Sequence, residues 1–353
     1  MKVFDNVKYK LLTGLEDVDP ETRDCLLVGQ GRIMNATDIR RLLKRIAEQP
    51  DDCHSRWILA GVRGLIEPKN DEQLEQLISN LIWLVKQYPE SKAHEQVILA
   101  NPHLKLEKLK RAWMCEMRRC EGSATVAANA GHTFGIIDNS FAERCYKKAV
   151  AISPTNADLW QRLSHVYALH AIGSTDHFGI RYARKSVEAL ITAIKCQGSR
   201  PDGYVGHYRE ILLRDAARLA VSYDFIKQMK VLGQLLIQTG RVRKPEQKTA
   251  MRSHGTQDIG NAILGLAALK QSQTIAAARY LERIDGSVTS DEFVLLLANG
   301  LVRKRAFSAV IHYIEMCLDA MQYSPGSNQG HCARLTDWQE RLASNRSVKL
   351  KPW

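Results

Sequence analysis

The chain has 353 residues and a formal net charge of +12, and 45% of its residues are hydrophobic and 25% charged. These proportions exclude an intrinsically disordered chain, and the absence of any apolar run near about 18 residues excludes a membrane-spanning protein. The basic excess favours acidic proteins, phosphates or nucleic acid as partners, without choosing among them.

Residues 1–36 are predicted to be an N-terminal cap or extension. Their apolar side chains could cover the open end of the first helical hairpin, as end repeats usually require: Leu11, Leu12, Leu15, Leu26, Leu27 and Val28. The Gly29-Gln30-Gly31 sequence is too short for a dinucleotide-binding loop, because it lacks a preceding strand and a third glycine.

Residues 37–122 are predicted to form degenerate helical repeats. Leu77, Leu81, Leu84 and Pro89 have a helix-period spacing that ends at a proline breaker. A leading helix through Trp57 and Gly61 would precede it, joined by a turn at residues 67–70.

Residues 123–240 carry the clearest repeat signal. The sequence Ala142-x3-Tyr146-x2-Ala149-x4-Pro154 is followed by Trp160-x2-Leu163-x3-Tyr167. Small residues allow two helices to approach closely, and the large ones fill the space between helical hairpins. Asp176 departs from this pattern and indicates an insertion around residues 173–178. Further helices are predicted over residues 183–195, 204–220 and 224–239.

The C-terminal third repeats the pattern after a break. Residues 241–257 lack periodicity and are predicted to be a basic loop, whereas residues 258–322 are predicted to contain two more repeats. In these, Ala277 and Leu281 match Ala309 and Tyr313 at a separation of 32 positions. Residues 323–353 are predicted to be a capping helix and a basic tail. Strand signals are almost absent, so the fold class is all-α.

The Trp160, Leu163 and Tyr167 set and the Ala142, Tyr146, Ala149 and Pro154 set resemble the tetratricopeptide repeat (TPR). Residues 40–343 look more broadly like a group of bacterial repeat proteins of uncharacterised role. The resemblance implies one continuous right-handed α-solenoid of antiparallel helical hairpins, irregular in its middle. It also implies that the first helix of each hairpin lines a concave groove, where the exposed polar positions are Asn129, His132, Gln161, Arg162 and His165.

A polar groove suits a non-catalytic adaptor that binds a protein or peptide, most simply an acidic one, in the cytoplasm. Asn and Arg side chains can hold a peptide backbone or a carboxylate through hydrogen bonds. The alternative is that these residues are ordinary solvent-facing positions of helices. Eight scattered cysteines without a C-x2-C pair, and no signal peptide, favour the reducing cytoplasm, and the sequence leaves the oligomeric state open.

A second hypothesis is a protein that associates with nucleic acid through basic segments. The candidate phosphate or acidic-partner contacts are Arg209, Arg214, Arg218, Arg241, Arg243, Lys244, Lys248 and Arg252. The basic run at residues 227–252 contains few aromatic residues, whereas proteins that bind single strands usually interleave stacking rings. Tyr204, His207, Tyr208 and Arg209 form the one aromatic-basic cluster. A solvated helix face is the plain alternative.

A metal-dependent enzyme on a helical scaffold is the third hypothesis. His165, His170 and His177 cluster in sequence, but their spacing does not match a known ligand motif and no carboxylate completes a set. We therefore predict no catalytic residue, metal ligand or cofactor. Cys145 and Cys317 fall at core-facing positions and are expected to be buried small hydrophobes instead of nucleophiles.

Overall fold

In a computed structural model of the protein, the described residues are 18–62, 71–97, 106–172, 176–197, 203–241, 252–285, 291–322, 329–346 and 348–351. Their regular secondary structure is entirely helical, with sixteen α-helices and one 3₁₀ helix. The predicted all-α class is therefore confirmed. Within these ranges, no helix is both long and apolar enough to cross a bilayer.

The chain divides into two compact units, Met1–Leu169 and His170–Trp353. The first unit contains α1 (Pro20–Gly31), α2 (Ala36–Glu48), α3 (Cys53–Gly61), α4 (Asp71–Gln87), the 3₁₀ helix Lys92–Gln96, α5 (Glu107–Arg119), α6 (Ala124–Phe134), α7 (Asn139–Ile152) and most of α8 (Ala157–Ala171). The prediction of one continuous array did not anticipate this division.

Short polar side chains start the first three helices. Asp19, Asn35 and Asp52 each accept a hydrogen bond from a backbone N–H in the first turn of the helix that follows. These N–H groups have no partner inside the helix, so the local sequence sets where each helix begins.

Helices α1 and α3 touch backbone to backbone. A Cβ atom placed on Gly31 would lie 2.0 Å from the Ile58 carbonyl oxygen, and one on Gly61 would lie 1.9 Å from the Val28 carbonyl oxygen. Residues 20–31 of the predicted N-terminal cap are thus an integral helix, in which Leu27 and Val28 are fully buried. Residues 1–17 and the turn predicted at 67–70 lie outside the described residues.

The second unit contains α9 (His177–Cys196), α10 (Gly203–Ser222), α11 (Ile226–Arg241), α12 (Arg252–Lys270), α13 (Thr274–Leu281), α14 (Glu292–Arg303), α15 (Phe307–Gln322) and α16 (Gln329–Ala343). Each helix from α9 onward packs on the next helix in the chain, and α9, α10, α12 and α13 also pack on the second helix along. These helices confirm the helical segments predicted within residues 183–239 and 258–322.

Three connections in the second unit share one turn geometry. Asp224, Ser272 and Arg305 have positive φ angles of 56°, 60° and 59°. The N–H of the residue after each one donates to a carbonyl five positions earlier, which is the Schellman helix end. The same turn therefore joins α10 to α11, α12 to α13 and α14 to α15.

The C-terminal segment is docked on the second unit. Asn299 donates to the carbonyl oxygen of Leu350 at 2.8 Å and accepts from its N–H at 2.8 Å. Leu350 and Val348 are buried, whereas Lys349 and Lys351 are exposed. The predicted basic tail is thus anchored by its apolar residues in the part of it that the structure describes.

The boundary of the predicted basic loop was wrong at its C-terminal side. Helix α12 begins at Arg252, inside the range 241–257. Thr256 and Asp258 are buried polar residues, so this helix start lacks the apolar periodicity by which helices are recognised. Residues 242–251 lie outside the described residues.

Candidate functional site

The site develops around the segment of residues 88–97 in the first unit. Asn129 of α6 donates to the carbonyl oxygens of Pro89 at 2.9 Å and Ser91 at 3.0 Å. Ser91 donates to Asp24 of α1 at 3.1 Å. Hydrogen bonds from two helices therefore fix a segment whose regular structure is one short 3₁₀ helix.

His94 anchors the same segment in the core. Its ring lies 5.0 Å from the Trp57 ring and 4.8 Å from the Trp113 ring, in edge-on arrangements. Its Nε2–H donates to the carbonyl oxygen of Tyr88 at 3.0 Å. Burial lowers the pKa of His94 to about 4, so this imidazole is neutral at physiological pH.

With His94 pointing inward, its neighbour Glu95 reaches Arg162 of α8. The Arg162 Nη2 donates to Glu95 Oε2 at 2.9 Å, and its Nε donates to Asp158 Oδ2 at 2.7 Å. Its Nη1 lies 3.5 Å from His132 Nδ1. The Tyr146 side chain also interacts with Arg162. We call Glu95, His132, Tyr146, Asp158 and Arg162 the Arg162 cluster.

Local sequence explains how α8 presents this arginine. The Asn156 side chain accepts from the Asp158 N–H at 3.1 Å, and the Trp160 indole N–H donates to the Pro154 carbonyl oxygen at 2.8 Å. Both bonds fix the turn that enters α8. Asp158 and Arg162 are four positions apart and therefore share one helix face.

In the Arg162 cluster, a permanent cation is paired with two carboxylates and lies beside a neutral imidazole and a protonated phenol. Burial alone would lower the pKa of Arg162, but the hydrogen bond to Glu95 and the charge of Asp158 raise it. Burial and the neighbouring Arg162 charge lower the pKa of His132. Burial raises the pKa of Tyr146 to about 12, so its hydroxyl stays protonated.

The two carboxylates on Arg162 differ in their exposure to solvent. The side chain of Arg162 is 24% exposed, and that of Asp158 is 59% exposed. Exposed ion pairs contribute little to stability, so Asp158 is held less firmly than Glu95, whose side chain is 26% exposed. The arrangement therefore suits recognition of an acidic side chain or a chain terminus.

Two of the five predicted groove residues, His132 and Arg162, meet in this cluster. Asn129 is fully buried and serves the 88–97 segment instead of facing a groove, so this position was misjudged. Gln161 is half-buried and His165 is exposed. The sequence missed Glu95, because its partner Arg162 lies 67 positions away.

The predicted phosphate contacts are largely engaged by carboxylates where they are described. Arg214 lies 3.5 Å from Glu210 and 3.4 Å from Asp291. Arg218 pairs with Asp215 at 3.1 Å and also with Glu292. Such pairs leave less free positive charge on α10 than the sequence pattern suggested.

Apart from Arg209, the remaining basic candidates lie within residues 242–251 or directly beside them. Arg241 ends α11, and Arg252 begins α12. Arg243, Lys244 and Lys248 lie outside the described residues. Burial lowers the pKa of Arg209 in α10.

The described cysteines and histidines form no metal site and no disulfide. All eight cysteines are free, and burial raises the pKa of both Cys145 and Cys317 to about 12, as expected for buried thiols. His165 and His177 are exposed, and His170 packs 4.6 Å from the Tyr182 ring. Among the described residues, no group of three or more His, Cys, Asp or Glu side chains is arranged to hold a metal.

A comparison with models of known protein families finds no match to the chain, and a comparison with curated proteins finds no significant match.

The buried imidazole of His94 makes the first unit sensitive to acid. The unfolded state takes up a proton near pH 6.5, whereas the folded state does so only near pH 4. As the pH is lowered from about 6.5 to about 4, the free energy of unfolding of the first unit should therefore fall by about 1.4 kcal/mol for each pH unit. Hydrogen exchange of α3, corrected for its intrinsic pH dependence, would measure this. His94→Gln should flatten the slope, and an unchanged slope in that variant would assign the effect to other groups.

Proposed function

We propose that the protein is a non-catalytic interaction scaffold that binds a peptide segment of an acidic protein partner at the Arg162 cluster. The observation that carries this proposal is the meeting of His132 and Arg162, two residues selected by their repeat positions, at 3.5 Å. The cation is partly exposed and is ready to accept a carboxylate.

The proposed architecture is a TPR-like α-solenoid in which helical hairpins stack along the chain. Support comes from the second unit, where helices pack on their first and second neighbours and three connections repeat one turn. The sequence offsets of residues 142–167 add to this support. A rigid helical surface reduces the ordering cost of binding, because only the peptide must lose conformational freedom.

In the proposed binding mode, a peptide carboxylate displaces Asp158 from the Arg162 Nε. The Arg162 Nη2 stays bonded to Glu95, which holds the guanidinium in one orientation. With Nη2 on Glu95 and Nη1 3.5 Å from His132 Nδ1, the Nε–H is the donor offered to the ligand, as one charge-assisted hydrogen bond. The surplus of basic residues adds a salt-dependent attraction between the chain and an acidic partner.

Two substitutions should change binding in opposite directions. Arg162→Ala should weaken peptide binding by about 10- to 100-fold, the value of a charge-assisted hydrogen bond. Asp158→Asn should strengthen it several-fold, because it removes the carboxylate that competes with the ligand. A partner would first be captured from lysate, with and without nuclease, and its binding segment mapped. Calorimetry with that segment and the full chain would then measure the affinity of both variants.

Arg118→Ala is the matched control, since Arg118 is exposed on α5 of the same unit. It should leave binding unchanged, and circular dichroism should show equal helicity in all variants. Equal binding by Arg162→Ala and the wild type would remove the cluster from the site. Partners lost after nuclease treatment would instead favour the nucleic-acid hypothesis.

A further inference from the structure

Helix α13 carries an exposed apolar side chain on its outer face, beside a surface cavity. Its inner face places Ala277 and Leu281, both fully buried, in the core of the second unit. On its outer side Ile275 is 75% exposed, and it borders a surface cavity of about 760 Å³. Single exposed apolar side chains are normal on protein surfaces, so Ile275 is informative only together with its neighbours at the cavity.

Two arginines border the same cavity. Arg279 lies one helical turn beyond Ile275, and Arg283 follows in the turn after α13. In the part of the chain that the structure describes, neither forms an ion pair with a carboxylate. Like charges one turn apart repel each other, so the chain keeps this pair at a cost to its own stability.

The Arg283 side chain is held in place by an aromatic ring. Its guanidinium lies 5.4 Å from the centroid of the Tyr280 ring, within the range of a cation–π contact. This contact restricts the arginine before any ligand arrives, which lowers the entropy lost on binding.

An exposed apolar side chain and two arginines without an ion pair among the described residues thus occur at one cavity. We infer that the outer face of α13 is a docking surface for a protein segment that carries an apolar side chain next to carboxylates. The apolar side chain covers Ile275, and the carboxylates lie between Arg279 and Arg283, where they relieve the repulsion.

The composition of the cavity favours a protein segment over a nucleic acid. A nucleic acid offers phosphates and flat bases with the thymine methyl as an aliphatic group, whereas a peptide can place a whole aliphatic side chain against Ile275. Nucleic acids also use exposed aromatic rings as stacking platforms, whereas the Tyr280 ring is half-buried and already contacts Arg283. This surface lies in the second unit and does not depend on the function proposed for the Arg162 cluster in the first.

The probe is a displayed library of random dodecapeptides, selected on the immobilised full chain. Peptides retained by the wild type but lost on the Arg279→Glu/Arg283→Glu variant are expected to combine Asp or Glu with Leu, Ile or Val. In fluorescence titrations, this variant and Ile275→Ser should each weaken such a peptide by about tenfold or more, as at binding hot spots.

The matched control is Arg334→Glu, which reverses an exposed arginine on α16 that has no described ion pair. It should leave the affinity within about twofold of the wild type. Three results would overturn the inference. In the first, the selection yields no peptide whose binding depends on residues 275, 279 and 283. In the second, peptides whose aliphatic residues are replaced by serine bind as tightly as the originals. In the third, Arg334→Glu loses as much affinity as the variants of α13. Competition by an oligonucleotide at the peptide's own affinity would assign the surface to nucleic acid instead.

Discussion

Replacing Gly31 by alanine should destabilise the first unit by about 3 kcal/mol or more, because the added methyl group has no space. Its Cβ would lie 2.0 Å from the Ile58 carbonyl oxygen and 2.9 Å from the Gly61 carbonyl carbon. Both are backbone atoms that cannot rotate away, so α1 and α3 must move apart. That movement opens the contact next to Trp57, whose side chain is fully buried in α3.

Gly29→Ala is the matched control, since it makes the same change two positions earlier in α1. No atom lies within 4 Å of a Cβ placed there. Alanine favours a helix over glycine, so this variant should be unchanged or up to about 1 kcal/mol more stable. Hydrogen exchange of α1 and α3 would compare the two variants. Equal protection in both would show that the helices do not touch through their backbones.

The second unit should lose stability as the pH rises from about 4 to 7, through the carboxyl group of Asp258. Burial raises the pKa of Asp258 to about 7, and the charge of Asp285 adds to the shift. The Asp285 N–H, which donates to Asp258 at 3.2 Å, opposes it only in part. Asp258 is 4% exposed, so its ionised form is poorly solvated.

The sign follows from proton binding. Between about pH 4 and pH 7, the folded state keeps a proton that the unfolded state has lost, so raising the pH favours unfolding. The loss is about 1.4 kcal/mol for each pH unit, or about 4 kcal/mol across the interval. Burial also raises the pKa of Asp291, which adds in the same direction. The first unit should instead lose stability as the pH falls, because of His94.

Asp258→Asn should remove most of this dependence, because the amide stays neutral. The variant should be more stable than the wild type by a few kcal/mol near pH 8 and nearly equal to it near pH 4. Hydrogen exchange of α12, corrected for intrinsic rates, would show the difference. The exposed Asp319→Asn on α15 should follow the wild type, and a flat wild-type profile would place the Asp258 pKa close to its ordinary value.

The sequence predicted two helices of the first unit correctly. The apolar spacing around Ala142 and Tyr146 predicted α7, and Trp160 and Leu163 predicted α8, because a helix face requires only residues close in sequence. Asp176 is the N-terminal cap of the next helix, accepting from the N–H groups of Phe178 and Gly179, so α9 begins at His177, inside the insertion predicted at residues 173–178.

The sequence misled where a residue's surroundings are set by distant parts of the chain. Asn129 looked like a groove position, but it is buried by the 88–97 segment to which it bonds. Helix α12 begins at Arg252 with Thr256 and Asp258 on buried positions, so no apolar pattern marked its start. Periodicity reports burial only when the buried residues are apolar.

The sequence by itself determined the helices, their caps and turns, and the side of α8 on which Arg162 lies, since these depend on interactions within a few residues. Only the tertiary structure decided that Glu95 would meet Arg162, that Gly31 would touch α3, and that the chain would divide into two units. Such contacts join residues far apart along the chain, and many packings satisfy the same local pattern equally well. Their choice depends on how whole helix faces fit together.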